Sequence, residues 1–348
     1  MNRWNENTDR IAEVNIAFLV TIIVFQAVGF LPLNFLKGNI VGSLIFSQAL
    51  VLIPGAYFLL KSGKPYHEAV QLKKMKVSNI LLCLLLYFML TPLLNFINAL
   101  SMVFFRNSTT TTILSLSEQV PWYIGILVMA LLPAIVEETV YRGVYYQEYK
   151  KADPWKAVLL SGFLFGLLHG NFNQFSYAFI LGMIFALVIE ATGSILSTMV
   201  LHFCINASSA LMVYLYPVLH NMLKMSYRFA ENEGMGTELS LLRDILGDVN
   251  MTTSEWISYL METSGTSAGF LETVLTYAPS AVFWSALAFL LFRYIAKRNG
   301  NWERICGFFG KPAKGSRSLF TVPLVAAIAI GIVAMFFFEL LMRMPQAG

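Results

Sequence analysis

The chain has 348 residues, of which 57% are hydrophobic and only 13% charged, against about a quarter charged in ordinary soluble domains. That composition excludes a soluble globular protein and defines one that crosses a bilayer many times. The net charge of +4 gives no support to nucleic-acid binding because Lys and Arg gather in a few short loops, and Cys83, Cys204 and Cys306 lie far apart in or beside apolar segments, with no spacing that suggests a disulfide framework or a thiolate metal site.

In chain order, the polar stretch from Met1 to Arg10 precedes a long apolar run with no small-residue cleavage site, which reads as an uncleaved first span. Candidate spans follow at 14–33, 40–60, 78–104, 121–147, 155–170, 174–190, 194–216, 271–296 and 319–342, nine in all. The fold class is all-α, a polytopic helical membrane bundle. Its parts are three N-terminal spans (1–118), a core of spans four to seven (119–216), an insertion (217–270) and two C-terminal spans (271–348). Lys61, Lys64, Lys73, Lys74 and Lys76 follow span two; Lys150, Lys151 and Lys156 follow span four; Arg293, Lys297, Arg298, Arg304, Lys311, Lys314 and Arg317 follow span eight. All three loops fall on one side, which basic residues mark as cytoplasmic. The N-terminus is then cytoplasmic and the C-terminus extracytoplasmic in a multi-pass protein of the cell membrane. The opposite side receives the Thr-rich loop from Asn107 to Pro121 and the insertion. There Leu239, Leu242, Ile245 and Leu246 recur at helical spacing, and Thr252 with Glu255 resembles a capping box, which predicts two short amphipathic helices on the outer surface.

The chemistry concentrates in span four, where Glu137, Glu138 and Arg142 interrupt a helix otherwise written for lipid. A charge at membrane depth costs a few kcal/mol or more, on the order of 2.5–3.5 by insertion scales, and marks a functional group. Glu138 and Arg142 are four apart and share a helical face, so a salt bridge accounts for that pair. Glu137 is rotated by about 100° from its neighbour and has no cation of its own nearby in sequence. Phe165 and His169 are also four apart, as are His202 and Asn206. With a rise of ~1.5 Å per residue, Glu137 lies roughly 25 Å from the outer end of span four and His202 about 12 Å from the inner end of span seven. Both then sit in the cytoplasmic half. His169 can join them only if spans five and six form a shallow hairpin whose turn, Gly170-Asn171-Phe172-Asn173-Gln174, stays within the membrane and lines a wet cavity. His220 reads as an interfacial residue without a role.

Glu137-Glu138-x-x-x-Arg142, Phe165-x-x-x-His169 and His202-x-x-x-Asn206, in that order, resemble the CPBP family of intramembrane proteases, which includes the CAAX prenyl endopeptidases and bacteriocin-processing types. The resemblance covers about residues 119–212. It implies a membrane endopeptidase whose polar groups face a cavity opening to the cytoplasm, with Glu137 activating water. Glu138 and Arg142 would support it, and His169, His202 and Asn206 would complete the site beside Phe165. The substrate it implies is a peptide or a membrane-associated protein, cut near the cytoplasmic face of the bilayer. A partly desolvated Glu137 suits a general base, and Asn206 and a histidine could donate to an oxyanion. Glu137, His169 and His202 could equally hold a zinc ion with an open fourth position. The rival reading is a non-proteolytic member of the same family that uses the cavity for binding, transport or bacteriocin self-immunity.

Overall fold

A computed structural model describes residues 10–30, 38–107, 113, 114, 116, 117, 119–265, 269–310 and 318–344. The first polar residues, positions 108–112, 115 and 118 of the Thr-rich loop, and Lys311, Lys314 and Arg317 lie outside them. The described elements are all helical: α1 (Arg10–Phe30), α2 (Ile40–Ser62), the short α3 (Tyr66–Ala69), α4 (Val77–Met102), α5 (Trp122–Tyr149), α6 (Pro154–Leu168), α7 (Phe172–Thr192), α8 (Leu196–Asn232), α9 (Gly236–Leu246), α10 (Thr253–Gly265), α11 (Phe270–Arg298), the short α12 (Trp302–Cys306) and α13 (Val322–Arg343). Lipid offers no partner to backbone polar groups, so each apolar segment satisfies its own as helix.

Eight of these helices are long and apolar enough to cross a membrane, and α6 is not, with 15 residues. At ~1.5 Å per residue it reaches about 22 Å, short of the ~30 Å hydrocarbon core. The fifth expected span is thus the shallow arm of a hairpin. Asp153 caps α6 by accepting from the Lys156 amide at 3.0 Å, with Pro154 in the first turn. Burial pushes the Asp153 carboxyl up, but the Lys156 amide and ammonium outweigh it and hold the group below its ordinary value. At the other end Gly170, at φ 68°, makes a turn that L side chains resist, and Asn171 caps α7 through the Gln174 amide at 2.8 Å. The two arms touch backbone to backbone: a Cβ on Gly182 would stand 2.5 Å from the Gly162 Cα. Small residues permit that approach in membranes.

Span seven was expected to end at 216; instead α8 runs 37 residues to Asn232 with Pro217 inside it, about 55 Å by its rise. Its far end leaves the membrane and carries the insertion. The two expected amphipathic helices are α9 and α10, and the capping box is real: the Thr252 amide and hydroxyl both donate to Glu255 Oε2, at 2.7 and 2.9 Å. His220, expected to be idle at the surface, is buried. Its ring stacks on Trp256 at 4.6 Å and its Nδ1 lies 3.1 Å from Thr253 Oγ1, which clasps α10 to α8.

The basic loops do gather at one end of the bundle. The Ile195 amide donates to Gln71 O, and Ser194 Oγ donates to Lys73 O at 2.7 Å. Buried Glu190 pairs with Lys150 at 2.8 Å and with Arg304, so the ends of α5 and α7 and the start of α12 meet there.

Candidate active site

α5 is not a regular helix. Two π-helical stretches, Leu127–Leu131 and Thr139–Tyr145, interrupt it on either side of the glutamates, and π-turns of this kind occur often at functional sites. The second stretch is buried throughout. Because Tyr146 donates five residues back to Tyr141 O, the Arg142 carbonyl is served instead by the Gln147 side chain at 3.0 Å.

Glu138 and Arg142 form the expected pair, Oε1 to Nη1 at 2.9 Å, with neither side chain exposed. Arg142 Nε and Nη2 have no hydrogen-bond partner. The guanidinium lies over the Phe165 and Phe185 rings, at 4.3 and 5.0 Å, a stabilising placement for a desolvated cation. Glu138 does more than neutralise Arg142, because the same Oε1 accepts from His202 Nδ1 at 3.0 Å. A carboxylate only accepts, so Nδ1 carries the proton and Nε2 faces the other way. That Nε2 is 3.8 Å from Glu137 Oε2, too long for a hydrogen bond and suited to a bridging water. Glu137 was expected to lack a local cation. The basic side chain nearest to it is His202, supplied from another helix.

Glu137 Oε1 also accepts from Gln48 Nε2 at 2.8 Å. Gln48 was missed in the sequence, although a lone amide in an apolar span is itself a signal. His169 ends α6, and its Nδ1 donates to Phe165 O at 2.9 Å, one of the carbonyls that a helix end leaves open. The spacing of four therefore fixes the His169 ring, while the Phe165 ring touches His169, His202 and Arg142 together. Asn206 Nδ2 donates to Met129 O at 3.1 Å. Pro133, four residues after Met129, has no N–H to give that carbonyl, so Asn206 takes its place and ties α8 to the bend in α5.

Glu137, His169, His202, Asn206, Phe165 and Gln48 line one cavity of about 510 Å³, while Glu138 and Arg142 sit behind its wall. The turn between α6 and α7 contributes Asn173 and Gln174, as the shallow hairpin requires, and α4 adds Thr91, Asn95 and Asn98. Those three, at i, i+4 and i+7 of one helix face, were also missed. The expected cytoplasmic mouth disagrees with the expected orientation. The lining stops at Gln48 on α2 and at Glu137 on α5 and starts at His202 on α8, so the hollow extends away from the basic loops.

Glu137, His169 and His202 were also weighed as zinc ligands. Among the described residues no three His, Cys, Asp or Glu side chains gather closely enough to hold a metal ion. His169 Nδ1 is engaged by Phe165 O and His202 Nδ1 by Glu138, which leaves the Nε2 atom of each ring free.

A helical membrane bundle with an acid, two imidazoles and an amide around a buried hollow has the makings of a hydrolase that works within the bilayer. Residues 119–208 match the family model described as type II CAAX prenyl endopeptidase Rce1-like, so this part of the chain is similar to that family. No curated protein and no solved structure matches the chain.

Proposed function

We propose that the chain is an intramembrane endopeptidase in which Glu137 draws a proton from water and the resulting hydroxide attacks a peptide carbonyl. The observation that carries this reading is the split between adjacent carboxylates: Glu137 lines the cavity, and Glu138 behind it holds both Arg142 and His202. Glu137 accepts the water's proton, held in place by Gln48. Asn206 has a second amide hydrogen free for the developing oxyanion, beyond the one given to Met129 O. The proton on Glu137 then passes to the leaving amine, so the bond is cut by water alone.

The basic loops support a multi-pass protein of the cell membrane with a cytoplasmic N-terminus and an extracytoplasmic C-terminus. Incubating the purified protein with a peptide library, beside Glu137→Ala, tests the activity. Sequence-selective cleavage by the parent and none by the variant is the expected result; cleavage by both, or by neither, contradicts it. Activity should persist in a chelator. Loss with EDTA and recovery with zinc would reinstate the metal.

A further inference from the structure

The hollow and the filled part of the bundle lie on opposite sides of Glu137. From Glu137 towards the basic loops, α5 presents Tyr141, Tyr145, Tyr146 and Tyr149, all buried, and no residue of that stretch lines the cavity. In the other direction the lining climbs α8 from His202 to Tyr216 and α4 from Tyr87 to Asn98, towards the end that carries α9 and α10. Since basic loops stay in the cytoplasm, the hollow extends to the extracytoplasmic side.

The wall also shows where it opens. Four of its residues are exposed: Asn95 on α4, and Ser208, Ser209 and Met212 on α8. The Ser208 and Ser209 hydroxyls donate to Ile205 O of their own helix, whereas the exposed Asn95 carboxamide on the face of a span is tolerated where it borders a wet passage. These four residues mark a slot between α4 and α8. The chemistry of the wall is mostly that of the amide. Asn95, Asn98, Asn173, Gln174 and Asn206 line it, and among the described residues Glu137 is its one carboxylate and no Lys or Arg contributes. A carboxamide both donates and accepts, as a peptide group does, so such a wall pairs with main chain whatever the side chains. A charged side chain or a terminal carboxylate entering it would lose water with no Lys or Arg to compensate.

We infer, resting on the endopeptidase reading, that the substrate is an uncharged, extended internal segment of an exported or membrane-anchored polypeptide. It reaches Glu137 from the extracytoplasmic half of the bilayer through the slot between α4 and α8, its backbone bonded to the amides of the wall.

Cysteine accessibility tests the direction. In a chain with Cys83, Cys204 and Cys306 replaced by alanine, Ser209→Cys and Ser240→Cys should react with a charged, impermeant methanethiosulfonate in intact cells, and His67→Cys only after permeabilisation. Reaction of Ser209→Cys from the cytoplasmic side alone, or from neither side, overturns the inference. For the slot, purified Ser209→Cys is compared before and after labelling on an undirected peptide library. Labelling should reduce cleavage at least tenfold, and labelling of Met222→Cys, exposed on the same helix outside the cavity, should leave the ratio near one. Undiminished cleavage by labelled Ser209→Cys, or cleavage sites enriched in charged residues, also overturns it. If the parent cleaves nothing, the endopeptidase reading fails by itself, and the accessibility result still decides from which side the hollow is reached.

Discussion

The two halves of α5 differ in surroundings although one helix makes both. From Val128 to Glu137 it walls a hollow edged with amides; from Glu138 to Tyr149 it packs into the core with four buried tyrosines, of which Tyr149 donates to Asn15 Oδ1 at 2.7 Å. Two adjacent carboxylates stand at the seam, one on each side. A residue's contribution should therefore follow the half it occupies. Changes on the filled side should cost stability, and changes on the hollow side should cost turnover.

The strongest break of that contrast is Glu138→Gln, which leaves Arg142 without its counter-charge among apolar neighbours and offers His202 only a neutral acceptor. Removing one partner of a buried pair costs about 3–5 kcal/mol, so yield or melting temperature in detergent should fall together with cleavage. Adding Arg142→Gln should recover part of the stability, while turnover stays low because His202 keeps a neutral acceptor in place of a carboxylate. Gln48→Leu comes next and belongs to the hollow. Hydrogen bonds to charged groups are worth about 1.5–3 kcal/mol, so cleavage should fall about ten- to a hundredfold with little change in the melt. Tyr149→Phe is its counterpart on the filled side. It strands the Asn15 carbonyl at a cost of about 1–3 kcal/mol, lowering the melting temperature while the cleavage rate of the folded protein holds. A loss of rate without a loss of stability there would blur the division.

The smallest effect belongs to the insertion, far from both halves. Bonds from the Thr252 amide and hydroxyl hold the Glu255 carboxyl below its ordinary value, so its contribution is present above the unfolded carboxylate range and is lost as pH falls through the lower folded value. Thr252→Ala removes the hydroxyl and keeps the amide, so it should reduce that dependence and slightly loosen α10, read from Trp256 fluorescence, with cleavage unchanged.

Much of this was legible before any coordinates, because helical spacing alone puts Glu138 on Arg142, and sets His169 with Phe165 and His202 with Asn206 on shared faces. The shallow hairpin followed from simple depth arithmetic for His169. What spacing could not convey is which groups converge from different helices. The contact of Glu138 with His202 spans 64 positions and that of Gln48 with Glu137 spans 89, and no local pattern encodes either. Thr91, Asn95 and Asn98 were readable as a polar stripe on an apolar helix, but without a partner in sequence they gave no hint of a shared wall. The end of α8 was hidden for another reason. Its polar residues past 216 favour helix as well as its apolar ones do, so hydrophobicity stops where the helix does not.

The most direct measurement is a cleavage assay beside a thermal melt for Glu137→Gln. A neutral amide of the same shape removes the base and lightens the burial cost, so the account predicts a melt at or above that of the parent and cleavage reduced by about 10²–10⁴-fold. A stable Glu137→Gln that cleaves at the parent rate, beside a stable and inactive Glu138→Gln, would contradict it and exchange the roles of the two carboxylates.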